Sequence, residues 1–292
     1  MSNSTKAERR EAARAEALAL QKKQQGRERT YRMVTLGLLG LLIVGLGVAI
    51  WLIIAESQKT GMEKADAIPA GVVDDTGIPV DDKGAAGALV EDAPRLDVYV
   101  DFMCPVCGQF EALNGADINA LREEGDVALV VHPVAILDRA SQGTEYSTRA
   151  ASSVAWVADQ APEAFIAYHD LLFANQPAEN SPGLSDEQLA SFAEQAGVPA
   201  DVADGIKDGS ATDTFGDWVL AATDQATSDE ALANPETGQF GTPTVMLDDE
   251  RFADWGTAGE LKTAIEDAAG ASGDKPADEG SEDEPADEPA EK

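Results

Sequence analysis

The chain has 292 residues, with 54 Asp and Glu against 21 Lys and Arg, for a formal charge of −33. Nucleic-acid phosphates are bound by clustered basic side chains, so this balance excludes a nucleic-acid partner and favours solubility. The length suits one medium domain with appendages.

Residues 1–32 carry nine Lys or Arg against four Glu, a net charge of +5, and leave −38 on the remainder. The Ala-, Glu- and Arg-rich stretch from Lys6 to Gln24 suits a charged, solvated helix. Residues 33–55 then contain no charged side chain and end with Trp51 near one boundary. That length spans a hydrocarbon core. The basic flank before it and the acidic text after it place the N-terminus in the cytoplasm and the rest outside. A cleaved signal peptide is the rival, but its apolar region would be shorter, and no small-x-small cleavage site stands out after Ala55. The expectation is a single-pass, uncleaved transmembrane helix at the cell membrane. Residues 56–87 are rich in Gly, Asp, Ala and Pro, with little periodicity, and predict a flexible tether.

A domain is expected over residues 88–269. Leu96–Val100 is a β-branched and aromatic run that predicts a strand. The string Asp101-Phe102-Met103-Cys104-Pro105-Val106-Cys107 follows and holds both cysteines of the chain. Beyond it, Phe110, Leu113, Ile118 and Leu121 recur at helical spacing, and Pro105 suits the first helical turn. Cys104 therefore stands at a helix N-terminus, where unpaired N–H groups and the macrodipole favour a thiolate. Cys107, one turn later on the same face, is placed to attack a mixed disulfide on Cys104. A static disulfide would usually close a longer loop. A closed zinc site needs four ligands, and beyond the cysteines the chain offers only His132 and His169. Thiol–disulfide exchange is the favoured chemistry, with no metal and no cofactor.

Val127–Val131 is wholly apolar and predicts a strand buried on both faces, ended by His132-Pro133, with His132 in a structural role. Helices are predicted at Thr144–Gln160, from Pro162 through Phe173, after a capping box at Ser185–Gln188, at Asp201–Lys207 and at Thr212–Thr227. Their aromatic side chains read as core, with His169 among them as a histidine satisfied by a partner. Thr244–Leu247 predicts a strand and Arg251–Ala253 its antiparallel partner, with Asp248–Glu250 as the turn. A final helix is expected at Trp255–Ala269. Residues 270–292, rich in Pro, Glu, Asp and Ala, predict a disordered acidic tail.

The string Asp101 to Glu111 resembles the D-x-x-C-P-x-C-x-x-F-E pattern of the DsbA-like branch of the thioredoxin superfamily. Gly241-Thr242-Pro243-Thr244 is similar to that family's cis-proline loop, and the resemblance runs from about Leu89 to Ala269. It implies an α/β thioredoxin fold with an inserted helical subdomain at about 144–230. It also implies a cis bond at Pro243, setting the Thr242 backbone against Cys104 to pair with an extended substrate by strand addition. Pro105, Val106, Thr242 and Pro243 are then the substrate-facing residues beside the catalytic Cys104 and Cys107. Two departures stand out. Relatives often carry a buried carboxylate six residues before the first cysteine, where this chain has Val98; Asp97 and Asp101 alternate to the other face of a strand. Strongly oxidising relatives often have His where this chain has Val106.

The expected function is extracytoplasmic thiol–disulfide exchange, most simply oxidation of cysteine-containing secreted or envelope proteins, with a membrane partner recycling the dithiol. An envelope reductase or isomerase of the same fold is one alternative. A non-catalytic peptide-binding module is another.

Overall fold

The computed structural model describes residues 61–273, together with positions 11, 14, 22, 33, 36, 37, 39 and 44–47. Two units are delimited, 1–59 and 60–292. In the first, the described positions are helical, and Met33, Leu36, Leu39, Val44 and Leu46 are exposed. Among the described residues no helix is long and apolar enough to cross a membrane. The segment expected to do so, residues 33–55, lies largely outside them.

The second unit is built on a five-stranded sheet of order β1-β3-β2-β4-β5. Its strands are β1 (Ile78–Val80), β2 (Arg95–Val100), β3 (Ala128–Pro133), β4 (Thr244–Leu247) and β5 (Glu250–Arg251). β2 and β3 are parallel, in register from Arg95 opposite Ala128 to Val100 opposite Pro133. β1, β4 and β5 each pair antiparallel. β3 is buried along its whole length, as its unbroken Leu-Val-Val run requires of a strand covered on both faces.

α1 (Pro105–Glu124) connects β2 to β3. It stops at Gly125, whose φ of 87° lets its N–H return to the Leu121 and Arg122 carbonyls. Between β3 and β4 lies the inserted helical subdomain. It comprises α2 (Tyr146–Gln160), α3 (Phe165–Ala174), α4 (Asp186–Gln195), α5 (Ala200–Lys207) and α6 (Ser210–Ser228). α2 packs on α6, and α3 packs back onto α1. Tyr146, Tyr168 and Trp218 are buried among these helices. The capping box forms as the sequence predicts: Ser185 Oγ accepts from Gln188 N–H, and Gln188 Oε1 accepts from Ser185 N–H. α7 (Glu260–Gly273) closes the chain against α1.

Several boundaries differ from expectation. Residues 61–87 are not a featureless tether: Gly61–Lys64 makes a helical turn against α6, and Ile78–Val80 forms the edge strand β1. A three-residue strand containing a proline gives no periodic signal, yet an edge tolerates Pro79 because one side of the strand needs no donor. β3 runs through His132 and Pro133 instead of ending before them, because Val100, at the far end of β2, still pairs there. β5 is Glu250–Arg251, since Asp248 and Asp249, both at positive φ, make the turn themselves. The Trp255 region is a 3-10 turn, Asp254–Gly256, and the helix proper starts at Glu260 after Gly259 at φ 80°. It runs four residues past Ala269, to Gly273, so the expected tail beyond that lies outside the described residues.

Candidate active site

β2 delivers the chain to a tight turn at Asp101–Met103, and Cys104 caps α1 in extended conformation, with Pro105 in the first helical turn. Both cysteines are thiols in this structure. Cys104 is 6% exposed and Cys107 is fully buried. Pro105 and Val106 lie exposed between them. The loop before the adjacent strand β4 brings in Thr242 and Pro243, joined by a cis peptide. Cys104 Sγ donates to the Thr242 carbonyl at 3.3 Å. Residues 138 positions apart thus meet because β2 and β4 are neighbouring strands.

The two thiols are oppositely poised. The Cys107 side chain hydrogen-bonds to Cys104 and is the largest influence lowering the Cys104 pKa, to about 6. Thr242 and the N–H groups of Cys107 and Val106 add to the effect. Burial opposes it and loses. Burial also pushes Cys107 well above the ordinary thiol range, and the neighbouring Cys104 pushes it further. At neutral pH one sulfur is a nucleophile and the other keeps its proton.

Two supporting residues were not visible in the sequence. Asp101 falls outside the strand alternation that would set it on the face of Asp97, because β2 ends at Val100, and its side chain is buried in the turn that follows. Its carboxylate is fully buried and accepts from Met103 N–H at 2.8 Å, Leu137 N–H at 2.9 Å and Ser147 Oγ at 2.7 Å. Burial lifts its pKa to about 6 against those three donors. Gln176, just past α3, donates from Nε2 to the carbonyls of Cys104 at 2.9 Å and Phe102 at 3.2 Å. It fixes the catalytic turn from the insertion side. A side chain at Gly108 would collide with Gln176 Oε1, which explains a glycine in the first turn of α1. Val98 is buried in β2 and offers no proton path.

The histidines play different parts. His132 is fully engaged: Nε2 meets Asp97 Oδ1 at 2.8 Å, Nδ1 meets Thr76 Oγ1 at 3.1 Å, and the ring stacks on Tyr99. His169, expected to be satisfied, is buried with its Nε2 lacking any hydrogen-bond partner.

A reactive thiolate at a helix end, backed by a buried thiol that can displace whatever attaches to it, is the equipment for passing disulfides between proteins, and the fold presents it in the thioredoxin manner. The protein is a thiol–disulfide oxidoreductase. A family model described as thioredoxin matches residues 90–267, and the chain belongs to that family. Among solved structures, it is similar to oxidized DsbA of Mycobacterium tuberculosis, at 28% identity and a TM-score of 0.53, covering 66% of this chain and 93% of that one. It is also similar to the reduced disulfide bond oxidoreductase DsbG of Mycobacterium tuberculosis, at 29% identity and a TM-score of 0.51, covering 68% and 86% respectively. The MdbA thiol–disulfide oxidoreductase of Actinomyces oris shares the fold, at 24% identity and a TM-score of 0.53, covering 71% and 98%. Among curated proteins, 154 residues are 30% identical to the serine/threonine-protein kinase PknE of Mycobacterium tuberculosis, covering 51% of this chain and 26% of the kinase. The chain thus spans about a quarter of the length of the curated relatives it matches.

Proposed function

We propose that this protein is a membrane-anchored, extracytoplasmic oxidase that introduces disulfides into cysteine-containing secreted or envelope proteins and is reoxidised by a membrane redox partner. The observation that carries the direction is the Cys104 pKa of about 6. A dithiol whose reduced form is stabilised is a stronger oxidant. At pH 7 a thiol of pKa about 6 is favoured roughly tenfold over one at 9, about 1.4 kcal/mol or ~30 mV for a two-electron couple. The substrate side is served by the exposed Val106 and by the Thr242 backbone beside Cys104, where an extended peptide can add as a strand. Anchoring is supported by the uncharged run 33–55 and by the exposed apolar side chains at its described helical positions. Disulfides persist outside the cytosol, the compartment in which an oxidase has work to do.

A reductase or isomerase is the second reading, and Val106 favours it, because that side chain supplies no donor to the thiolate. Equilibration of the purified protein with glutathione buffers decides between them. The expected potential lies above that of thioredoxin, about −270 mV, and below the DsbA extreme, about −120 mV, and Val106→His should raise it. A value at or below that of thioredoxin overturns the oxidase reading. Absence of any exchange with glutathione would mark a non-catalytic peptide-binding module.

A further inference from the structure

One turn beyond Cys107, on the face of α1 that meets α3, Glu111 faces His169 and Asp170. One donor atom from each of the three lies within 4.8 Å of the others. His169 Nε2 stands 3.7 Å from Glu111 Oε1, too far for a hydrogen bond. It has no other partner and is buried. Neither protonation state satisfies that nitrogen: a neutral ring leaves a bare lone pair, and a charged one leaves an N–H without an acceptor. His169 Nδ1 lies 3.3 Å from Asp170 Oδ1, so the ring is flanked by carboxylates of both α1 and α3. Asn119 Nδ2 in turn holds Asp170 Oδ2 at 3.1 Å.

We propose that Glu111, His169 and Asp170 form a binding site for a divalent cation of the zinc class. Two ligands at about 2.1 Å from a tetrahedral ion stand about 3.4 Å apart, close to the separation of His169 Nε2 and Glu111 Oε1. One imidazole and two carboxylates are donors such an ion accepts, and together they match its charge. Gly115 makes room for the Glu111 carboxylate: a Cβ there would lie 3.0 Å from Oε2. A glycine within a helix costs about 1 kcal/mol, and here it clears space at the donor cluster. Glu111 and Asp170 also line a cavity of about 480 Å³ with Gly108, Asn119 and Phe173. The cavity gives an ion a way in and leaves a coordination position facing it. Bound there, the ion would tie α1 to the insertion immediately below the dithiol.

The experiment uses the full-length chain in detergent with Cys104 and Cys107 joined as a disulfide, so that thiolates cannot compete. Zn²⁺ is titrated in by calorimetry while the histidine ring resonances are followed. With only two histidines in the chain, the readout is direct. One saturable equivalent is expected, shifting the His169 resonances and leaving those of His132 in place. Glu111→Gln and Asp170→Asn should each weaken binding at least tenfold. Asp170 is 46% exposed, so its substitution leaves the fold intact. Zn²⁺ uptake that does not move the His169 ring, or an affinity unchanged in both variants, overturns the site.

Discussion

Asp101→Asn isolates the buried carboxylate under the catalytic turn. Its folded pKa of about 6 lies above the ordinary 3.8, chiefly because burial disfavours the charge. A group raised in this way contributes stability that is fully present below about pH 3.8 and lost as pH rises through about 6. Between pH 7.5 and pH 5 the wild-type protein should therefore gain about 1.4 kcal/mol from this residue alone. The asparagine variant keeps one oxygen acceptor for Met103 and Ser147, sets its amide against the Leu137 N–H at both pH values alike, and has nothing to titrate. Urea unfolding of both proteins at the two pH values gives the answer as a difference of differences, in which the many surface carboxylates cancel. The disulfide form is the one to measure, since Cys104 then carries no charge, and its repulsion is the smallest contribution to the Asp101 shift. The stability advantage of wild type over variant should widen by about 1.4 kcal/mol on acidification. An advantage that stays flat or narrows would refute the claim that Asp101 is buried as a strained carboxylate.

Cys104→Ser should abolish exchange, whereas Cys107→Ser should accumulate mixed disulfides on Cys104, visible as thiol-sensitive adducts on non-reducing gels of an envelope extract. Gln176→Ala removes two hydrogen bonds to the catalytic turn and should cost ~1–2 kcal/mol in thermal or denaturant unfolding. If residues 33–55 anchor the chain, protease added to intact spheroplasts should digest the catalytic domain and spare about the first 32 residues; a soluble protein starting near Glu56 would mean a cleaved signal instead.

What the sequence disclosed was whatever chemistry writes locally. The Cys-Pro-Val-Cys string, the Ser185–Gln188 cap and the apolar β3 run each carry their signal within a few residues, and all three form. The Thr242–Pro243 loop was legible only through its likeness to a family, since nothing near it says that it will face Cys104. Asp101, Gln176 and the unpartnered face of His169 were illegible for one reason. Each acquires its meaning from a contact across at least two elements, with Leu137 and Ser147 for Asp101, with Phe102 and Cys104 for Gln176, and with Glu111 for His169. Alternation misplaced Asp101 because it assumes a strand that continues. Composition misplaced residues 61–87 because Gly, Asp and Pro also build tight turns around a short edge strand.

The burial of Cys107 has a kinetic consequence. Only Cys104 can be reached from outside, and the chain holds no third thiol through which electrons could leave by another door. If the chain works as the oxidase proposed above, the substrate that delivers two electrons and the partner that removes them occupy the same surface beside Thr242, one after the other. Turnover would then be a shuttle with a single berth: each catalytic cycle alternates between two mutually exclusive visitors, and an excess of either one delays the other.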